Sequence, residues 1–276
     1  MDSQPRKDAV GNGVTGTVPP APKTSTGTTT DAMPCATGAL DPRPFAIDLD
    51  CLPCLLRQAV TAARHAAPND EAMQREVVQV WAGRISALGP EDVAAGTPAL
   101  AGPLYSLVQE MTGNPDPYRD HKRRANERIM ALLPVLKERV RVARDPLRAA
   151  LHLCTVGNYI DAGVETRYDW ERALLEEAHG PVAAYDAFDA RIAQRPRVLI
   201  LGDNAGEIGL DTLLVSVLQE RGCDVTYAVR ARPVINDATL EDADKVGMTG
   251  LCQVVTSGVD TPGTVLSRCT PAFLER

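Results

Sequence analysis

The residues of this chain best suited to chemistry lie in one run, Val198-Leu199-Ile200-Leu201-Gly202-Asp203-Asn204-Ala205-Gly206-Glu207-Ile208-Gly209-Leu210-Asp211. Asp203, Glu207 and Asp211 recur at i, i+4 and i+8, which on a helix forms one acidic stripe. With Asn204 they make a set of hard oxygen donors directly after an apolar run, the ligand type that divalent cations take. Glycines at 202, 206 and 209 approach the dinucleotide fingerprint, but G-x-G-x-x-G needs glycine where Asn204 stands. A pyrophosphate would also meet carboxylates where it needs bare N–H groups, which disfavours an NAD-dependent oxidoreductase. Acids at a helix start gain only a few tenths to ~1 kcal/mol from the macrodipole. That gain accounts for Glu207 but not for Asp203, which precedes the helix in the turn.

A second group follows in Arg230-Ala231-Arg232-Pro233-Val234-Ile235-Asn236-Asp237-Ala238-Thr239-Leu240-Glu241-Asp242. Asn236 and Asp237 either cap the next helix or face a substrate. Asp242 lies one turn inside, where neither cap nor macrodipole requires it. With Asp203 and Asn204 it would give a cation two carboxylates and an amide oxygen, leaving positions open for water and substrate. Arg230 offers a bidentate fork, and the Ser257-Gly258 turn offers backbone N–H groups, for the remaining oxygens of a phosphate.

These residues need a scaffold that carries them to one edge. Arg197 to Leu201, Asp224 to Val229 and Leu251 to Val255 are short runs rich in β-branched residues, separated by helical patterns at 207 to 221 and 239 to 246. That order is β-α-β-α-β, hence a parallel sheet whose strand ends, Asp203, Arg230 and Ser257, share the carboxyl edge where ligands of open α/β sheets bind. Upstream, apolar periodicity predicts helices at Cys51 to His65, Glu71 to Leu88, Leu104 to Met111, Pro117 to Val142, Asp145-Pro146 through Leu153, and Tyr168 to Ala178. The fold class is therefore α/β, with a helical domain at 45–194 and a Rossmann-like domain at 195–276. Residues 1–44, rich in Gly, Ser, Thr and Pro, read as a disordered tail.

Net charge of -7 opposes binding to nucleic acid or to an anionic membrane, and 4% aromatic residues leave little to stack on bases. No apolar run approaches ~18 residues and the N-terminus lacks a signal-peptide core. Seven cysteines spread along the chain are not the dense framework of a small secreted domain, so the cytoplasm is the expected compartment. Cys51 and Cys54 form one C-x-x-C without the second pair of a structural zinc site; buried thiols, redox-active thiols and metal ligation all stay open. The four histidines, at 65, 121, 152 and 179, have no ligand spacing. Gly157-Asn158-Tyr159-Ile160-Asp161 taken alone is a helix end with turn formers.

Together, Asp50-Cys51-x-x-Cys54-x-x-Arg57-Gln58, Asp116-Pro117-Tyr118 with Lys122, Gly157-Asn158-x-Ile160-Asp161, Asp203-Asn204-Ala205-Gly206-Glu207 with Asp211, and Asn236-Asp237-Ala238-Thr239 with Asp242 resemble the metal-dependent damage-control phosphatases (domain of unknown function 89). The resemblance runs from about Leu49 to the C-terminus, and the cysteine pair is similar to that of a largely prokaryotic subgroup. It implies a helical domain packed on a Rossmann-like domain, with a divalent metal (Mn, Co, Ni or Mg) held between them by Asp203, Asn204 and Asp242. It further implies hydrolysis of phosphomonoesters of small metabolites, such as damaged or excess sugar phosphates or cofactor precursors, with Glu207, Asn158 and Asp161 around the substrate or a metal-activated water. Attack by Asp203 through an aspartyl-phosphate is the mechanistic alternative. The family's domain continues through another strand to a Lys-Gly-x-Gly-Asn-x-Glu segment, whereas this sequence ends at Phe273-Leu274-Glu275-Arg276. The α/β domain is thus expected to be incomplete at that end, and the alternative function is a catalytically impaired remnant that serves as a metal-binding or regulatory module.

Overall fold

Apolar strands joined by helices cannot pair as hairpins, because a crossover through a helix returns the chain in the same direction. A computed structural model, which describes residues 47–158, 169–175 and 184–276, shows this outcome. The expected tail at 1–44 and Asp161 lie outside the described residues.

The elements run α1 (Cys51–Ala66), α2 (Glu71–Ser86), α3 (Pro90–Ala95), α4 (Thr97–Thr112), α5 (Arg119–Val142), α6 (Pro146–Gly157), α7 (Trp170–Leu175) and α8 (Tyr185–Ile192), followed by β1 (Arg197–Leu201), α9 (Glu207–Glu220), β2 (Asp224–Val229), α10 (Leu240–Lys245), β3 (Gln253–Thr256) and α11 (Pro271–Leu274). The sheet has the order β1-β2-β3 and is parallel throughout, with Leu201 opposite Ala228 and Ala228 opposite Val255. The fold is therefore α/β, a largely helical N-terminal part followed by a small parallel sheet. Among the described residues no helix is long and apolar enough to cross a membrane.

Two cores position the site. Helices α5 to α9 and the sheet share one, which includes Ile129, Leu136, Leu147, Ile208, Leu210, Leu218 and Tyr227. Helices α1, α2 and α4 enclose the other around Leu55, Trp81, Leu104 and Val108, and it takes in Val234 from the loop after β2. On the outer face of the sheet Phe273 of α11 packs with Ala228 and Val255, while Leu199 and Leu201 of β1 stay 41% and 50% exposed.

Several expected boundaries shift. Helix α4 begins at Thr97 and not near Leu104, because Pro98 in a first turn costs no hydrogen bond. Pro103 inside it removes one ladder bond, a loss outweighed by the buried face Leu100, Ala101, Leu104, Tyr105, Leu107 and Val108. Asp145 caps α6 through Arg148 N at 3.1 Å, and the helix extends past Leu153 to Gly157. Helices α3 and α8 were not expected; each is under nine residues, too short for a clear period.

Helix α9 crosses α5 at Gly209, where an added Cβ would lie 2.7 Å from Ile129 Cγ2. Gly209→Ala gains about 1 kcal/mol of helix propensity but overpacks a stiff β-branched side chain at about 1–3 kcal/mol. The expected outcome is net destabilisation, read as a lower urea midpoint at unchanged m-value; a raised midpoint would mean that the α5–α9 contact is looser than described.

Candidate active site

The loop after β1 and the loop after β2 are joined through their backbones. Ala205 N donates to Asn236 O at 2.8 Å, Ala238 N to Asp203 O at 2.6 Å, and Asn204 and Asp237 form an antiparallel bridge. Gly206 then turns with φ 89°, a value that favours glycine, and starts α9 at Glu207. Gly202 is required for a different reason: a Cβ there would fall 2.3–2.5 Å from the Tyr227 ring.

Arg230 holds the two loops electrostatically. Its Nη2 donates to Asp203 Oδ1 at 3.1 Å, its Nε to Asp237 Oδ2 at 2.6 Å, and its Nη1 to Thr264 Oγ1 at 3.1 Å. Asp203 Oδ2 also accepts from Asn204 Nδ2 at 3.3 Å. Two carboxylates and a hydroxyl thus surround one buried guanidinium, and the Asn204 amide bonds to the first of those carboxylates.

Asp242 does something other than expected. Helix α10 starts at Leu240 with Thr239 as its N-cap, so Asp242 is the third helical residue and closes a capping box. Its Oδ2 accepts from Thr239 N at 3.0 Å and Thr239 Oγ1 at 2.8 Å. The same oxygen lies 3.2 Å from Lys122 Nζ, while Oδ1 accepts from Asn126 Nδ2 at 2.9 Å. The expectation that no cap requires Asp242 is corrected, and of the two readings of Asn236 and Asp237 the helix cap is not the one seen: the β-region residue before α10 is Thr239.

Lys122 and Asn126 were overlooked as site residues by the spacing argument. Lys122 is buried between Asp116 Oδ2, at 2.9 Å, and Asp242. Asn126 Oδ1 accepts from Gly206 N at 2.7 Å, so one amide links the first loop to Asp242. The available signal was that both occupy the apolar stripe of α5, with Ala125, Ile129, Leu136 and Val140.

Glu207 and Asp211 lie below the loops on α9. Glu207 is 9% exposed, and its Oε2 has no hydrogen-bond partner among the described residues. Burial, then the charges of Asp211 and Asp203, push its carboxyl up to about 8. Asp211 accepts from Tyr227 Oη, and burial raises its pKa as well. Gly157 packs against Glu207, where a Cβ would meet Cγ at 3.0 Å, which places the exposed α6 C-cap Asn158 one residue from that contact.

The other expected residues are placed as follows. Asn236 is 1% exposed and gives its carbonyl to Ala205. Ser257 lies at the end of β3, but its hydroxyl turns back to Val229 O at 3.5 Å and it is fully buried. Gly258, φ 80°, packs under Thr270, where a Cβ would fall 2.3 Å from Cγ2. The structure therefore brings Asp203, Asn204, Glu207, Arg230, Asn236 and Asp237 together, and seals the Ser257 hydroxyl away from them.

Residues 47–276 match the family model described as the damage-control phosphatase ARMT1-like domain. The chain belongs to this family. A relative from Archaeoglobus fulgidus named damage-control phosphatase is 33% identical over 60% of this chain and 60% of its own length. A damage-control phosphatase of Pyrococcus horikoshii is 24% identical, covering 83% of this chain and 79% of its own. An uncharacterized Methanocaldococcus jannaschii protein is 27% identical over 82% of this chain and 76% of its own. The crystal structure of a DUF89 family protein from Pyrococcus horikoshii superposes with a TM-score of 0.71 at 22% identity, covering 83% of this chain and 80% of that one, which establishes the shared fold.

The raised Glu207 carboxyl makes a stability forecast. A proton bound more tightly in the folded than in the unfolded chain stabilises at low pH, and that contribution is lost as pH rises from about 4.5 through about 8. With divalent ions chelated, unfolding free energy is expected to fall across this window, by at most about 1.4 kcal/mol per pH unit for one group. Glu207→Gln should flatten most of the slope in urea titrations at successive pH values. An unchanged slope in that variant would show that Glu207 titrates normally.

Proposed function

We propose that this protein is a metal-dependent phosphatase that hydrolyses phosphomonoesters of small metabolites, sugar phosphates or cofactor precursors among them. The observation that carries the reading is the meeting of Asp203 and Asp237 on one guanidinium beside Asn204, with an unpartnered, buried Glu207 oxygen at the start of α9, directly after the first of the two loops. Two carboxylates on a single arginine, beside an amide, leave one negative charge uncompensated and several hard oxygen donors close together, which suits a divalent cation. The donor set we propose is Asp203, Asn204 and Asp237, in place of the one with Asp242, because the oxygens of Asp242 are already given to the α10 cap, Asn126 and Lys122.

A dication bound there would supply Lewis-acid polarisation of the phosphate and would make water a better nucleophile at neutral pH. The protein's own residues do the rest. Arg230 has a planar fork suited to phosphate oxygens, which it would offer to an anion were Asp203 and Asp237 to hold a cation. Glu207, held near neutrality by burial, can accept or return a proton at Oε2. Asn158, the C-cap of α6, follows Gly157, which packs on Glu207. The names of the Archaeoglobus and Pyrococcus relatives support the phosphatase class.

Hydrolysis of p-nitrophenyl phosphate by the full chain, with Mn, Co, Ni or Mg added in turn, tests this. Metal-stimulated turnover is expected, reduced by at least two orders of magnitude in Asp203→Ala and Asp237→Asn. Metal binding without turnover would favour the remnant reading, and an Asp237→Asn enzyme as active as the parent would remove that residue from the donor set.

A further inference from the structure

The two cysteines of the Asp50-Cys51-Leu52-Pro53-Cys54 motif open α1, outside the candidate active site, and nothing in a phosphatase requires them. Cys54 is exposed and Cys51 half-buried. Each sulfur faces a side-chain donor: Thr97 Oγ1 lies 3.4 Å from Cys51 Sγ, and Gln58 Nε2 lies 3.6 Å from Cys54 Sγ. Neither donor is placed by chance rotation. Thr97 is fixed in the first turn of α4, and Tyr105 Oη donates to Gln58 Oε1 at 3.2 Å, which turns the amide so that its NH2 faces Cys54.

We propose that Cys51 and Cys54 form a thiol–disulfide exchange site, a reversible dithiol that reacts with disulfides of the glutathione type. Positions i and i+3 share one helix face, about 5–6 Å apart at Cβ, and a disulfide needs about 3.8 Å, so the first turn must tighten. It can do so without breaking the ladder, since the first four N–H groups of a helix have no intrahelical partner and Pro53 has none to lose. The exposed Cys54 sulfur attacks one sulfur of the external disulfide, that S–S bond breaks, and one thiolate leaves to take up a proton. Cys51 then attacks Cys54 Sγ in the mixed disulfide, forming the internal S–S bond and expelling the second thiol. Two electrons pass from the pair to the external disulfide, which ends as two thiols. Negative charge moves from sulfur to sulfur in both steps, and a donor at each position offsets it.

Two contrasts separate this pair from other uses of cysteine. Cys154, Cys223, Cys252 and Cys269 all have thiols pushed up by burial, the behaviour of structural residues. Among the described residues no group of three or more His, Cys, Asp or Glu side chains is arranged to hold a metal, so none of those residues joins the pair in a zinc cage.

The test equilibrates the full chain in glutathione buffers of graded ratio, quenches with acid, and labels remaining thiols with N-ethylmaleimide before peptide mass spectrometry. Cys51 and Cys54 should lose reactivity together at one ratio, with the loss of two hydrogen atoms in mass. Cys51→Ser should trap glutathione on Cys54, and Gln58→Leu should slow the first step several-fold while circular dichroism stays unchanged. The proposal is overturned if both thiols still label in fully oxidised glutathione, or if each carries glutathione without an internal bond. It is equally overturned if zinc alone blocks labelling at one equivalent while no disulfide forms.

Discussion

Backbone hydrogen bonds between two loops carry the rest of this structure. Ala205 N to Asn236 O and Ala238 N to Asp203 O tie the turn after β1 to the turn after β2, at the place where each presents an acid. Those bonds set the backbone spacing at which one guanidinium, that of Arg230, pairs with both Asp203 and Asp237. The second loop is held from outside as well. Val234 inserts into the core of α1, α2 and α4, and Gln109 Nε2 donates to Pro233 O at 3.0 Å. Between them and Asn236, Ile235 adopts φ 45°, a conformation costly for a β-branched residue, which persists because its neighbours are fixed on both sides.

Two cations share the electrostatic work and do it differently. Lys122 is enclosed with Asp116 and Asp242, and this triad bolts α5 to α10. Removing one member of a buried set leaves the others uncompensated, at about 3–5 kcal/mol, so it acts structurally. Arg230 instead lies between acids at the sheet edge, one of which, Asp203, has a side chain 46% exposed. A pairing that borders solvent is open to competition from a dication and a phosphate, whereas the lysine triad is closed. The division of labour explains why Asp242, equally acidic and near in sequence, belongs with the scaffold.

Much of this was legible in the residues. The β-α-β-α-β order and the carboxyl-edge positions of Asp203 and Arg230 follow from apolar runs, glycine turns and the handedness of crossovers, which local pattern encodes. The partners of Asp242 were not legible, because Lys122 and Asn126 lie more than a hundred residues away and because a Thr-x-x-Asp capping box was hidden behind the stronger cap signal of Asn236-Asp237. The Ser257-Gly258 turn looked open for the same reason: Thr270, which covers it, arrives from a distant helix start. Spacing states which residues share a face. It does not state which partner reaches that face first.

The site as proposed holds one dication through Asp203, Asn204 and Asp237. Crystals of the full chain soaked in manganese, with anomalous differences recorded near the manganese edge, test it most directly. A single strong peak is expected within about 2.0–2.4 Å of oxygens from all three residues, with Arg230 displaced from Asp237. A peak on Asp242, or Asp203 and Asp237 still closed on Arg230 in saturating metal, would contradict it.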